Sequence, residues 1–294
     1  MRVRAFAKIN LSLRVLGTRA DGYHQLRTIF QSIALHDILT IRAIRGPFEL
    51  TCDNPACPAD GTNLVARAAA RLWTEAGRRG APRGVAIDVR KRIPLKAGLG
   101  GGSSDAAAAL RALAKRWRVG EARVRAAAAA LGADVPYFLE GGTVLGLERG
   151  DLLFPLIDPP AAWVVLVLPK FGVSTKDAFG WLDDDGDDHR GPERAALYEQ
   201  SRRVDLRVGP DNDLANDLEA PVVARHPEIG RIISALRRQG ATRAAMSGSG
   251  SAVFGLFPCR PDAVRAARRL SSASRRTLVT RTLNRPRYQI LAAT

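Results

Sequence analysis

The sequence predicts an α+β protein of two domains, on three observations. Its 294 residues exceed what one domain of ordinary size uses. An alternating segment, Val85 to Ile93, runs into a glycine cluster and then an alanine- and leucine-rich stretch ending at Trp117, a strand–turn–helix order. Asp158-Pro159-Pro160 interrupts the pattern, and strand, helix, helix, strand, helix and strand signals follow it, as in a small two-layer sandwich. The expected domains are 1–158 and 159–294.

Taken in order, residues 2–15 alternate as a strand with Lys8, Asn10 and Ser12 on one face and Ile9, Leu11 and Leu13 on the other. That polar face is either solvated or lines a cleft. Gly17 to His24 is rich in turn residues and contains Asp21-Gly22. Just past the turn stand Tyr23 and His24, which either cover a loop or offer a ring face and an imidazole to a flat ligand. Ile29 to Ile44 is strand-like with an expected break at His36-Asp37, and 63–77 has helical periodicity through Leu64, Val65, Ala68, Ala69 and Leu72.

The glycine cluster places four glycines in five positions, 98–102, after the strand and before a helix that Ser103-Ser104-Asp105 would start. A helix N-terminus carries unpaired N–H groups and about half a positive charge. Glycines let an anion approach the backbone. The alternative is a plain hinge, which the flanking strand and helix disfavour. No Lys follows the glycines as in a P-loop, position 103 is Ser where a dinucleotide fingerprint needs Gly, and the H-R-D and D-F-G motifs of protein kinases are absent. The segment is a phosphate cradle of another kind.

A second helix, 120–131, ends at Gly132. In Gly132-Ala133-Asp134-Val135-Pro136, Pro136 opens a short helix and restricts Val135, holding Asp134 at the entrance as a cap or as something chemical. Residues 141–157 read as a hairpin. Beyond the boundary come a buried strand at 163–168, a helix carrying Phe179, an acidic loop at 183–188 without EF-hand spacing, and a helical stretch from 212 to 236 divided by Pro221 and Pro227. A second Gly/Ser loop, 245–252, leads to a strand at 253–257. A helix at 261–270 follows, and two strand-like runs end the chain.

Composition narrows the class. Apolar residues at 46% and charged residues at 25% suit a soluble globular chain, and no apolar run reaches membrane-spanning length. The N-terminus enters a strand pattern directly, so the expected location is the cytoplasm. Cys52, Cys57 and Cys259 lack metal-ligand spacing and read as reduced, non-catalytic thiols. The net charge of +16 would suit a nucleic-acid partner, but the excess is nearly all Arg and is not interleaved with aromatics. Solvated Arg-rich faces are the simpler account, with nine Arg between 260 and 287 the one local concentration.

Five segments together resemble the GHMP kinase superfamily: Ala7-Lys8-Ile9-Asn10-Leu11, Asp21-Gly22-Tyr23-His24, Pro94 through Asp105, Gly132 through Pro136, and Ser247-Gly248-Ser249-Gly250. The second and fourth are similar to the branch that phosphorylates the 2-hydroxyl of 4-diphosphocytidyl-2-C-methyl-D-erythritol in non-mevalonate isoprenoid synthesis. The resemblance implies a mixed α/β N-terminal domain, a ferredoxin-like C-terminal domain, and an active site in the cleft between. It implies ATP and Mg²⁺ as cofactors, with Pro94, Leu95, Lys96, Ala97, Gly98, Leu99, Gly100, Gly101, Gly102, Ser103 and Ser104 holding the nucleotide. Asp134 would take the hydroxyl proton, and Lys8 would stabilise charge on the phosphoryl group. Tyr23 and Phe179 would sandwich the cytosine, His24 would bond its edge, and Asn10 would help hold the substrate. Ser104 is a candidate oxygen ligand for Mg²⁺; the remaining metal ligands stay open. The partner is this small molecule, with neither nucleic acid nor membrane expected, and the choice between monomer and homodimer stays open. Alternatives are a homoserine or mevalonate kinase, whose substrates have no base for Tyr23 and His24 to stack on, or a non-catalytic Arg-rich nucleic-acid binder.

Overall fold

The computed structural model describes residues 1–185 and 214–293. Two long antiparallel strands, β1 (Arg2–Thr18) and β2 (His24–Pro47), organise its first half. The turn between them closes where the Arg19 N–H donates to the Tyr23 carbonyl at 2.7 Å, with Gly22 at φ +82. β3 (Glu49–Cys52), β4 (Arg83–Arg90), β5 (Thr143–Glu148) and β6 (Leu152–Pro155) complete a six-stranded sheet in the order β3-β4-β2-β5-β6, with β1 also on β2. Helices α1 (Leu64–Glu75), α2 (Gly101–Trp117) and α3 (Glu121–Leu131) cover one face, burying Leu39, Val85, Ile87 and Val89 against Leu72, Leu110 and Leu113. Each such side chain contributes about 1.5–3 kcal/mol by leaving water.

The second half is a four-stranded antiparallel sheet in the order β10-β7-β9-β8, formed by β7 (Trp163–Pro169), β8 (Arg243–Met246), β9 (Val253–Phe257) and β10 (Arg275–Arg281). Its helices are α5 (Thr175–Asp184), α6 (Glu219–Arg225), α7 (Pro227–Arg238) and α8 (Arg260–Leu270); α4 (Tyr137–Glu140) belongs to the first half. The order is βαββαβ, the ferredoxin-like arrangement. β8 is a strand absent from the sequence reading, which placed its last two residues, Ala245 and Met246, in the Gly/Ser loop. β7 alternates its partners: Val165 and Val167 face the helices, while Val164, Leu166 and Leu168 meet Ile9, Leu11 and Ile33 of the first sheet. Burial on both faces explains its uninterrupted apolar run. The two halves therefore share a core, and Asp158 is a tie between them, accepting the Thr143 N–H at 2.7 Å and the Arg285 N–H at 2.8 Å.

Several elements differ from the sequence expectation. β2 has no break at His36-Asp37, because Asp37 is fully buried and paired with Lys91 and with the Ile93 N–H at 2.8 Å. The face carrying Lys8, Asn10 and Ser12 is buried, not solvated. α2 starts inside the glycines, at Gly101, with no side-chain cap. Ser104 and Asp105 are drawn inward instead, Ser104 Oγ donating to the Phe6 carbonyl at 2.7 Å and Asp105 accepting from Lys91 at 2.7 Å. Residues 214–218 are not helical, and Pro221 lies in the first turn of α6, where its missing N–H leaves no bond unmade. Residues 186–188 of the acidic run and 212–213 lie outside the described residues. The last strand-like run is a helix, α9 (Arg285–Ala293): Pro286 enters its first turn, and Tyr288 and Ala292, four apart, pack near Phe6.

Candidate active site

A cavity of about 1040 Å³ opens between the two halves, walled by β1, β2, the glycine loop, the turn before α4, α5 and the Gly/Ser loop at 247–251. All but one of the sequence-predicted residues line it: Lys8, Asn10, Tyr23, His24, every residue from Pro94 to Ser103, Asp134 and Phe179. Ser104 does not, its buried hydroxyl being directed to Phe6.

The glycine loop fits an anion by its backbone. Lys96, Gly98 and Gly100 have φ of 52, 71 and 69, so two of the three left-handed positions are glycines. A Cβ at Gly98 would lie 2.0 Å from the Ser247 carbonyl oxygen, and one at Gly100 would lie 2.6 Å from the Phe138 ring. The loop is thus folded tightly onto the second Gly/Ser loop, which Ser247 Oγ fastens by donating to the Gly98 carbonyl at 3.1 Å. Ser104 donates its N–H to the Gly100 carbonyl at 2.9 Å, which leaves the N–H groups of Gly101, Gly102 and Ser103 without a protein acceptor among the described residues. They end on the cavity at the positive end of a helix of 17 residues.

Behind the loop is a buried ionic cluster. Lys91 reaches both Asp37 and Asp105, and Gly101 leaves room for it: a Cβ there would stand 3.4 Å from Lys91 Nζ. Two carboxyl groups share one ammonium. Burial pushes the Asp105 carboxyl up to about 8, against the pull of Lys91, while Asp37 also takes two backbone N–H groups. The cluster ties β2, the end of β4 and the first turn of α2 together, which fixes the cradle from below.

Across the cavity, Lys8 is 4% exposed and its Nζ lies 3.8 Å from Asp134 Oδ2. The ammonium also donates to Asn10 Oδ1 and stands 5.5 Å from the centre of the Phe30 ring. Burial lowers the Lys8 pKa below its ordinary value, and the neighbouring Asp134 offsets part of that. Asp134 sits in the turn between α3 and α4. It does not serve as a helix cap: α4 has no side-chain cap bond, and Pro136, two residues on, has no N–H to give it. Its side chain keeps 36% exposure, toward the cavity. Asn10 is occupied on both sides, accepting from Lys8 and donating to Thr28 Oγ1 at 2.8 Å. It holds the lysine.

The far end is aromatic. Tyr23 is 59% exposed with the Arg149 guanidinium 5.4 Å from its ring centre. His24 stacks on Phe179 with centroids 4.6 Å apart and a tilt of 23°, and its Nε2 is 2.8 Å from Asp183 Oδ1. One face of Phe179 is thus covered by His24. Sequence reasoning missed Thr28, Leu64, Arg149, Thr175 and Asp183, which also line the cavity. Leu64 was legible only as a helix residue and Asp183 only as the start of the acidic run, which is not a loop at that point, since α5 continues to Asp184; no local pattern marks the rest. Among the described residues no group of three metal-ligating side chains comes together, and no helix is long and apolar enough to cross a membrane.

Comparison with known proteins agrees with this architecture. Residues 63–142 match the GHMP kinases N terminal domain and residues 206–275 the GHMP kinases C terminal domain. A Moorella thermoacetica protein named 4-diphosphocytidyl-2-C-methyl-D-erythritol kinase is 45% identical over 283 residues, covering 95% of this chain and 98% of its own length. One of the same name from Pelotomaculum thermopropionicum is 41% identical, covering 95% of this chain and 97% of its own. A crystal structure of 4-(cytidine 5'-diphospho)-2C-methyl-D-erythritol kinase superposes with a TM-score of 0.76 at 35% identity, over 96% of this chain and 99% of that one. Homoserine kinase from Cytophaga hutchinsonii, at 18% identity and a TM-score of 0.66 over 96% of this chain and 95% of its own, shares the fold. With both halves matched and near-complete relatives at this identity, the chain belongs to the GHMP kinases.

Proposed function

We propose that the chain transfers the γ-phosphoryl group of ATP to the 2-hydroxyl of 4-diphosphocytidyl-2-C-methyl-D-erythritol. The observation that carries this reading is the pairing of Lys8 with Asp134 in one cavity, between a glycine-lined helix N-terminus and an aromatic end. The names borne by the relatives supply the acceptor.

The triphosphate lies along residues 94–103, its oxygens accepting from the N–H groups of Gly101, Gly102 and Ser103. Mg²⁺ would be held mainly by phosphate oxygens and water, with Ser103 and Asp134 among the side-chain oxygens that line the cavity, and would supply positive charge against the phosphates. Such a metal needs no dedicated protein cage, in keeping with the donor set here. Ser104 is not among those donors. The acceptor hydroxyl lies against Asp134, which orients it and receives its proton as the new O–P bond forms and the bond to ADP breaks. Lys8 remains protonated and meets the charge of the transferring group. Asn10 acts through Lys8, by aiming it.

At the other end the base stacks between Tyr23 and the face of Phe179 that His24 leaves open. Asp183 engages His24 Nε2, which makes Nδ1 the acceptor in the neutral ring. An acceptor there suits the exocyclic amine of cytosine and not the carbonyl of uracil.

The test is ATP-dependent phosphorylation of the cytidyl substrate, with mevalonate and homoserine alongside. Turnover confined to the cytidyl compound supports the assignment. Turnover with another acceptor, and none with this one, leaves the kinase and rejects the substrate.

A further inference from the structure

The segment from Leu214 to Leu218, just before α6, is fastened to both halves of the molecule. Toward the first half it pairs with β1: the Leu13 N–H donates to the Ala215 carbonyl at 2.9 Å, and the Asp217 N–H donates to the Leu13 carbonyl at 2.8 Å. The Asp217 carboxylate takes the Val15 N–H and the Arg14 guanidinium, each at 2.9 Å. Toward the second half the segment meets β8, the edge strand of its sheet, whose outer backbone groups no strand pairs. Glu219 accepts the Met246 N–H at 2.9 Å, and Asn216 Nδ2 donates to the Met246 carbonyl at 3.0 Å.

Asn216 does more than close that edge. The same amide nitrogen donates to the Gly248 carbonyl at 2.8 Å, and Asn216 Oδ1 accepts the Leu218 N–H at 3.1 Å. Two donor bonds and one acceptor bond are made at once, a set that asparagine alone supplies among side chains of its size. Met246 and Gly248 flank Ser247, so the amide clamps both sides of the bend that opens the Gly/Ser loop. Gly248 has φ +57 and stands against the catalytic lysine: a Cβ on it would lie 3.0 Å from Asn10 Oδ1 and 3.4 Å from Lys8 Nζ. From the middle of the bend, Ser247 Oγ donates to the Gly98 carbonyl of the glycine loop. Asn216 itself does not line the cavity.

We infer that Asn216 is a positioning residue for phosphoryl transfer, holding the Gly248 backbone against Lys8 and Asn10 from the far side of the Gly/Ser loop. The inference rests on Lys8 being the cation that meets the transferring group. Release of the Gly248 carbonyl lets the loop draw back, and water then reaches an ammonium that is 4% exposed. The other groups facing Lys8 stay in place: Asp134 from the turn before α4, Asn10 on its own strand and the Phe30 ring from β2. Hydration favours the charged form, so the Lys8 pKa climbs back toward 10.5. A displaced lysine also costs rate, up to about a hundredfold for about 1 Å.

The test uses Asn216→Leu, which keeps the branched shape without charge or hydrogen bonds, and Asn216→Ser, which is smaller and admits water should the first not fold. Lys8 is titrated by NMR in the full chain through its Cε resonance, assigned as the signal missing from Lys8→Met. The rate of a single turnover with the cytidyl substrate is read with enzyme in excess. The expected result in either variant is a Lys8 titration moved up toward 10.5 and transfer slowed by about 10- to 100-fold. Leu270→Ala, a buried change in the second half away from the cavity, should lower stability without moving the Lys8 titration. An Asn216 variant that titrates at the wild-type pH, or transfers at the wild-type rate, would overturn the inference. So would an equal move in Leu270→Ala. Should wild type itself not phosphorylate the cytidyl compound, the acceptor assignment fails, and the NMR titration still decides the role of Asn216.

Discussion

Asn10 Oδ1 accepts from the Lys8 ammonium, while the other end of the same amide donates to Thr28 Oγ1, itself bonded to the Ser12 carbonyl at 2.7 Å. Lysine can only donate, so it fixes which end of the amide is oxygen. The chain of bonds aims Nζ at Asp134. Asn10→Ala should therefore lower kcat by about 10- to 100-fold, the usual consequence of a displaced catalytic group. KM for ATP should change little. A loss confined to KM for the acceptor would instead make Asn10 a direct substrate contact.

The pKa of Lys8 lies below 10.5 because burial disfavours the ammonium. In the proposed role of Lys8 transfer needs the charged form, so kcat/KM should fall on an alkaline limb that begins below pH 10.5. Stability moves the opposite way. Between the folded pKa and 10.5 the unfolded chain holds more protons, so stability rises with pH across that window. Lys8→Met should abolish activity and flatten that rise in urea denaturation followed as a function of pH. An unchanged slope would contradict the burial argument.

How much of this was legible in the sequence follows from what local pattern can encode. The glycine loop, the β1 alternation and the two-part architecture rest on spacing along the chain, and these the sequence displays. The start of α2 was misread because Ser103-Ser104-Asp105 resembles a cap, whereas Phe6 and Lys91, distant in sequence, claim Ser104 and Asp105. The final helix was misread because Ile290 and Leu291 suit a strand; burial of Tyr288 near Phe6 decides otherwise. Asp183 and Arg149 carry no motif that points to a ring, since only the meeting of α5 and of the β5–β6 turn with the β1–β2 turn places them beside His24 and Tyr23.

The Lys91 cluster predicts an asymmetry in stability. Lys91→Met leaves Asp37 buried without its cation and should cost about 3–5 kcal/mol in chemical denaturation. Asp105→Asn keeps a hydrogen-bonding group beside Lys91 and leaves Asp37 as its counter-charge, so it should cost less than about 1.5 kcal/mol. Equal costs would mean that both carboxyl groups are needed as charges.

Asp183 sets the orientation and tautomer of His24. Asp183→Ala should raise KM for the cytidyl substrate by about tenfold, as one charge-assisted hydrogen bond is lost. It should also narrow the preference over the uridyl analogue, because the imidazole can then present either a donor or an acceptor. Retained discrimination would place base recognition elsewhere.

The central claim, that Lys8 and Asp134 form the catalytic pair, is tested most directly by the rate of a single turnover in Asp134→Asn with enzyme in excess. The account predicts a fall of at least about a hundredfold in phosphoryl transfer, the scale of general-base and orienting contributions. Binding of ATP and of the cytidyl substrate should be nearly unchanged. A transfer rate within about threefold of wild type, well below what loss of general-base catalysis costs, would contradict it and leave Asp134 a bystander beside the lysine.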